Sequence, residues 1–238
     1  MAISIAIIYP EILGTYGDRG NALALKYRAK QRGLESEIIE VAAGDNLPSK
    51  CDIYMMGGGE DNAQTLATTL LTKEHKALTT ITNESIILAI CAGFQILGKQ
   101  FPSTGQKLFN GLDLIDVTTI PGTPRIIGEV SSKCNISGIG LLTGFENHGG
   151  RTILGSNAQA LAQVQTGLGN GIELSSQKYV DGYYSNNIIA TYMHGPLLAR
   201  NPILCDHLIS KITGIETLSP IENDTAVELH NERILAAK

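Results

Sequence analysis

Ala2–Tyr9, Ile53–Met56 and Ser85–Ile90 are unbroken apolar runs, each closed by a turn and followed by residues at helical spacing. A strand that faces water on one side alternates polar with apolar residues, whereas an unbroken run has to be covered on both faces. Short strands of this kind, separated by helices, are covered when they lie side by side in a mainly parallel sheet with helices above and below. An α/β architecture is therefore expected. Asn21–Arg32 reads as the first helix, with Gly33 at its C′ position, and Glu37–Val41 as a further strand. After Gly57-Gly58-Gly59, the positions Ala63, Leu66, Ala67, Leu70 and Leu71 mark one buried helix face. Ala92–Gln100 follows Ser85–Ile90 as a helix with no spacer.

The second half is less regular. Leu112–Thr119, Ile126–Ser131 and Ile139–Leu142 read as strands of an antiparallel extension of the same sheet, and Thr166–Gly171 as a glycine-bearing loop. Ile188–Met193 is an apolar strand with His194 immediately beyond it. Asn201-Pro202 caps a helix to about Thr213, with Ile203, Leu204, Leu208, Ile209 and Ile212 expected inward. No composition shift marks a linker, so residues 1–238 are expected to form a single domain, with a charged tail from about residue 220 read as partner-facing.

Bulk properties exclude several classes. A net charge of −5 spread along the chain argues against a groove for nucleic acid. No apolar stretch approaches the roughly 20 residues needed to span a bilayer, and no signal peptide is read at the N-terminus, so no membrane insertion is expected. Cys51, Cys91, Cys134 and Cys205 lie far apart without a CxxC pair, which suggests neither a metal site nor a disulfide framework. A reduced, cytoplasmic setting fits, and it leaves room for a reactive thiol.

Ala89-Ile90-Cys91-Ala92-Gly93 is where such a thiol is expected. A strand ends, one residue stands at the turn, and a helix starts at once. A turn this tight needs small residues two before and two after the central one, and Ala89 and Gly93 supply them. The positive end of a helix favours a thiolate there, and the Ala92 N–H faces the place of a developing oxyanion. The competing reading is an inert buried cysteine, the common fate of a free thiol. Gly57-Gly58-Gly59 stands at another strand end, where backbone without side chains can offer Gly58 and Gly59 N–H groups to the same oxyanion; alone it is only a flexible turn. His194, beyond its strand and before Gly195-Pro196, is the base expected to pair with Cys91, or else a polar strand cap. His148 falls in Glu146–Arg151, read as a loop.

Together with Leu13–Asn21, Met56–Asp61, Ile90–Gln95, Gly144–Thr152 (GFENHGGRT) and His194–Leu198, these residues resemble the class I glutamine amidotransferases, in their cobyric-acid-synthase-like branch. They are most similar to the glutaminase subunits (GatD type) of lipid II isoglutaminyl synthases, over roughly residues 3 to 215. The resemblance implies a flavodoxin-like fold with a nucleophile elbow and hydrolysis of L-glutamine through a thioester at Cys91. It further implies a Mur-ligase-like synthetase partner (MurT type) that uses ATP and Mg²⁺ to amidate D-glutamate of the peptidoglycan stem peptide, with no cofactor in this chain. It makes Arg125 the glutamine-binding arginine and Gln95 a substrate contact. Guanidinium suits the substrate α-carboxylate, which it can grip with two hydrogen bonds.

One position departs from the wider class, where a Glu stands two residues after the His: here it is Pro196, so the group that orients His194 is left open. An amidotransferase subunit for corrinoid amidation, a non-catalytic ligase-binding module and a stand-alone cysteine hydrolase are the rival readings. No G-x-x-x-x-G-K-[ST] stretch for ATP occurs in the sequence.

Overall fold

The computed structural model describes residues 2–173 and 178–236. Strands and helices are numbered along the chain. The first sheet holds β1 (Ile3–Ile8), β2 (Ser36–Val41), β3 (Ile53–Met56), β4 (Ile86–Ile90), β11 (Tyr183–Tyr184) and β12 (Ile188–Thr191), in the order β11-β12-β4-β3-β1-β2. All neighbours are parallel except β11, which runs antiparallel along β12 at the edge. The order 2-1-3-4 followed by β12 as fifth strand is the flavodoxin-like arrangement, so the expected fold class holds. β3, β4 and β12 are buried at every residue, as unbroken apolar runs require, while β2 at the other edge places Glu37 and Glu40 outward.

The helices are α1 (Arg19–Lys30), α2 (Asp61–Thr72), α3 (His75–Glu84), α4 (Ala92–Leu97), α5 (Leu197–Arg200), α6 (Pro202–Thr213) and α7 (Thr225–Ala236). Details differ from the sequence reading. The inward face of α2 is Gln64, Ala67, Thr68 and Leu71, and Leu66 is exposed. That rotation lets Gln64 donate to Gln95 Oε1 at 2.9 Å. α4 stops at Leu97, three residues early, because Gly98 turns the chain toward Lys99, whose N–H donates to Val117 O. On α6, Ile203 points to solvent, while Leu204, Leu208 and Ile209 face the core.

The strands between residues 100 and 181 do not extend the first sheet but build another, from β5 (Gln100–Pro102), β6 (Leu108–Asn110), β7 (Val117–Cys134), β8 (Leu141–Leu154), β9 (Ala162–Thr166) and β10 (Val180–Asp181). β7 and β8 form a long antiparallel hairpin whose register breaks between Pro121 and Ile126. The segment Glu146–Arg151, read as a loop, is strand; its glycine pair, Gly149-Gly150, carries little β preference and hides it. The two sheets meet where Phe145 of β8 and His194 exchange backbone hydrogen bonds of 3.0 and 2.9 Å. β12 itself ends at Thr191, so His194 stands three residues past it and is positioned by this bridge.

The described part of the segment after Pro220 is packed against the body rather than free. Arg28 of α1, buried, binds Asp206 of α6 at 2.6 Å and Asp224 at 2.8 Å, and Arg32 binds Asp206 at 2.8 Å. Buried His230 of α7 lies 2.8 Å from the carbonyl of Arg200. Among the described residues no helix is long and apolar enough to cross a membrane.

Candidate active site

The parallel register aligns Met56 with Ala89 and Ile90 with Thr191, so three adjacent strands end at one level. They deliver Gly57–Gly59, Cys91 and, beyond Thr191, His194. Cys91 sits at φ 52°, ψ −100° as N-cap of α4. A non-glycine residue with positive φ at a strand–helix junction is strained and has to be held by its surroundings. Here the Cys91 N–H donates to Thr191 O at 2.9 Å, and the Gly93 N–H to Gly57 O at 3.1 Å.

His194 is 3% exposed, and its Nδ1 lies 3.4 Å from the carboxylate of Asp18. Asp18 was missed in the sequence. It is the N-cap of α1 but makes no capping bond to that helix; its Oδ2 accepts from the Gly58 N–H at 2.7 Å while its carboxylate faces His194. An aspartate before a helix, in Gly17-Asp18-Arg19-Gly20, reads as an ordinary cap, and only tertiary placement shows otherwise. The same motif brings it there: a Cβ on Gly20 would collide with Pro196, and Asn21 Oδ1 accepts from the Leu198 N–H at 2.8 Å. The Pro196 position, without the Glu of the wider class, is thus the docking point for the loop that supplies a carboxylate from the other end of the chain. Burial opposes the His194 imidazolium, but the Asp18 carboxylate and the neighbouring Cys91 outweigh it and raise its pKa to about 9, while Nε2 is buried without a hydrogen-bond partner among the described residues.

The oxyanion expectation needs one correction. The Gly58 N–H is committed to Asp18, so its part is steric: a Cβ there would stand 2.8 Å from His194 Cε1 and 3.0 Å from Tyr16. Among the described residues none accepts a hydrogen bond from the N–H of Gly59 or Ala92, which leaves these two as the available donors.

Cys91 opens into a cavity of about 200 Å³. Arg125 lines it from the irregular stretch of β7, with Nε donating to Asn147 Oδ1 at 2.6 Å and Nη2 to Asn147 O at 3.2 Å and Tyr16 OH at 3.5 Å. Its Nη1 makes no hydrogen bond among the described residues. Gln95 lines the cavity too, with its amide anchored by neighbours: Oε1 accepts from Gln64 and Nε2 donates one of its two N–H groups to Tyr192 OH at 3.0 Å, which in turn meets Thr152 Oγ1 at 2.5 Å. Gln95 is thereby held rigid against the pocket. Tyr16, also unanticipated, leans its ring on His194 with centroids 4.4 Å apart. All four cysteines are buried and unpaired, and among the described residues no group of three or more His, Cys, Asp or Glu is gathered as for a metal.

A strained cysteine at a strand–helix elbow, with an imidazole from the neighbouring strand and a carboxylate behind it, defines the Cys–His class of α/β sites that can form thioesters. The chain belongs to the CobB/CobQ-like glutamine amidotransferase family, whose domain matches residues 4–202. It is 33% identical over 227 residues to the lipid II isoglutaminyl synthase (glutamine-hydrolyzing) subunit GatD of Staphylococcus aureus (strain N315), covering 94% of this chain and 90% of that protein. To the GatD subunit of Streptococcus pneumoniae (strain ATCC BAA-255 / R6) it is 35% identical over 211 residues, covering 87% and 79%. A crystal structure of a glutamine amidotransferase superposes with a TM-score of 0.59 at 17% identity, covering 89% of this chain and 99% of the other, a likeness of fold. The resemblance expected from the motifs holds.

Proposed function

We propose that this chain is the glutaminase subunit of a lipid II isoglutaminyl synthase. The match to GatD relatives along nearly the whole of both chains supports this reading over corrinoid amidation. Cys91 is the nucleophile. His194, whose raised pKa suits it to hold a proton, takes the proton of the Cys91 thiol as general base. The thiolate attacks the γ-carboxamide carbon of L-glutamine, and the oxyanion is met by the N–H groups of Gly59 and Ala92. His194 then gives its proton to the nitrogen as the C–N bond breaks, and ammonia leaves a γ-glutamyl thioester. Water, deprotonated by His194, releases glutamate. Asp18 keeps the imidazole oriented throughout.

Arg125 takes the α-carboxylate. Arg125→Ala is expected to raise KM strongly and to cost roughly 2 to 4 kcal/mol in kcat/KM, since a charge-assisted pair is left unmade. Steady-state kinetics check this; an unchanged KM would move Arg125 to a partner interface.

Ammonia released into water at neutral pH is protonated and no longer a nucleophile, so hydrolysis has to be coupled in space to amidation. The partner is a Mur-ligase-like subunit of MurT type in the cytoplasm. It activates the α-carboxyl of D-glutamate in the stem peptide with ATP and Mg²⁺, while this chain carries no cofactor. Co-expression should yield a heterodimer that converts D-glutamate of lipid II to D-isoglutamine with glutamine as donor. A pair that amidates a corrinoid and leaves lipid II untouched would overturn the assignment while leaving the family intact.

A further inference from the structure

His148 lies in β8 beside the catalytic pair, yet thioester formation and hydrolysis do not use it. Its ring is 2% exposed and stacks on Tyr192, with centroids 3.7 Å apart and planes at 14°. Nδ1 lies 3.0 Å from the Gly150 carbonyl, which can only accept, so the ring proton sits on Nδ1 and Nε2 is left as an acceptor. That Nε2 is buried without a partner, although His148 lines the Cys91 cavity. An acceptor cut off from both water and protein is costly, and the cost is relieved when a donor arrives. Burial, together with the positive charges of Arg151, His194 and Arg125, holds the ring neutral, down to a pKa of about 3.

Glutamine brings two kinds of N–H, the α-ammonium and the γ-carboxamide. An ammonium placed among three cationic side chains would be repelled, and Glu60 and Asp61 offer it carboxylates elsewhere around the cavity. The neutral carboxamide carries no such penalty. We propose that His148 Nε2 accepts a hydrogen bond from the γ-carboxamide nitrogen of the substrate and keeps it as that nitrogen leaves as ammonia. In this step Cys91 Sγ bonds to the γ-carbon, the C–N bond breaks, and the departing nitrogen takes its third proton from His194. His148 exchanges no proton, and a ring this hard to protonate does not convert the ammonia to ammonium. This role of His148 rests on the amidotransferase reading of the site.

The test compares two substrates on the chain co-purified with its ligase subunit. One is L-glutamine, and the other is the γ-methyl ester of L-glutamate, whose leaving group has no N–H. His148→Phe keeps a ring to stack on Tyr192 and removes the acceptor; His148→Gln restores an acceptor in a different frame. The ratio of kcat on glutamine to kcat on the ester is expected to fall about tenfold in His148→Phe, the worth of one hydrogen bond, and to recover partly in His148→Gln. An unchanged ratio in both variants, whatever the absolute loss, would overturn the role of His148 alone. A wild-type complex that releases glutamate from neither substrate would instead overturn the amidotransferase reading and the proposal with it.

Discussion

Cys91→Ser is expected to lower glutamine hydrolysis by about 10³-fold or more, because removing the nucleophile of a concerted site leaves only binding and oxyanion stabilisation. Cys91 alone of the four cysteines combines a strained elbow, a cavity wall and a neighbouring histidine. Burial pushes the thiols of Cys51, Cys134 and Cys205 up, with no compensating cation strong enough to reverse it. Substituting those three should leave hydrolysis largely intact. A glutamine-like electrophile should therefore add to a single cysteine, and peptide mass spectrometry that places it anywhere but Cys91 would sink the assignment. Ammonium salts at high pH should still support amidation by the Cys91→Ser complex, since the ligase half is untouched.

His194→Ala should lower kcat by about 10²-fold or more, the usual scale for a positioned acid–base group. Asp18→Asn should lower kcat as well, with little change in KM, because it acts on the imidazole and not on the substrate. The pH dependence carries its own sign. The folded-state pKa of His194, about 9, lies above its ordinary 6.5, so the stability it contributes is fully present below pH 6.5 and is lost as pH rises through about 9. The difference in Tm between wild type and His194→Ala should shrink over that window. A gap that widens toward pH 9 would contradict the Asp18–His194–Cys91 arrangement. Were His148→Ala the more damaging of the two histidine changes in kcat, the roles assigned to the histidines would be exchanged. The neutral, carbonyl-bound ring of His148 argues instead for His194 as the base.

Local chemistry was enough for the first sheet and for the elbow. β3 matches its expected bounds, and β1 and β4 lie within a residue of theirs, because a strand buried on both faces leaves an unbroken apolar run that few other structures tolerate. Cys91 between Ala89 and Gly93 was legible for a similar reason: a turn without spacer admits only small flanking residues. The second sheet was not legible, since β8 owes its strand state to thirteen paired positions along β7 and not to the preferences of Asn147, Gly149 or Gly150. Leu66 looked buried by spacing and is exposed, because helix rotation follows the packing of Gln64 on Gln95. Asp18 shows the limit most clearly. Its side chain could have capped its own helix, and no neighbouring residue says that it turns instead to a histidine 176 positions away. The residues and their order determined that a strained cysteine would stand at a strand end beside a glycine turn. Which carboxylate would stand behind the histidine, and which N–H groups would stay free for an oxyanion, was decided by long-range packing, because hydrogen bonds between distant segments depend on where the chain returns and leave no period in the sequence.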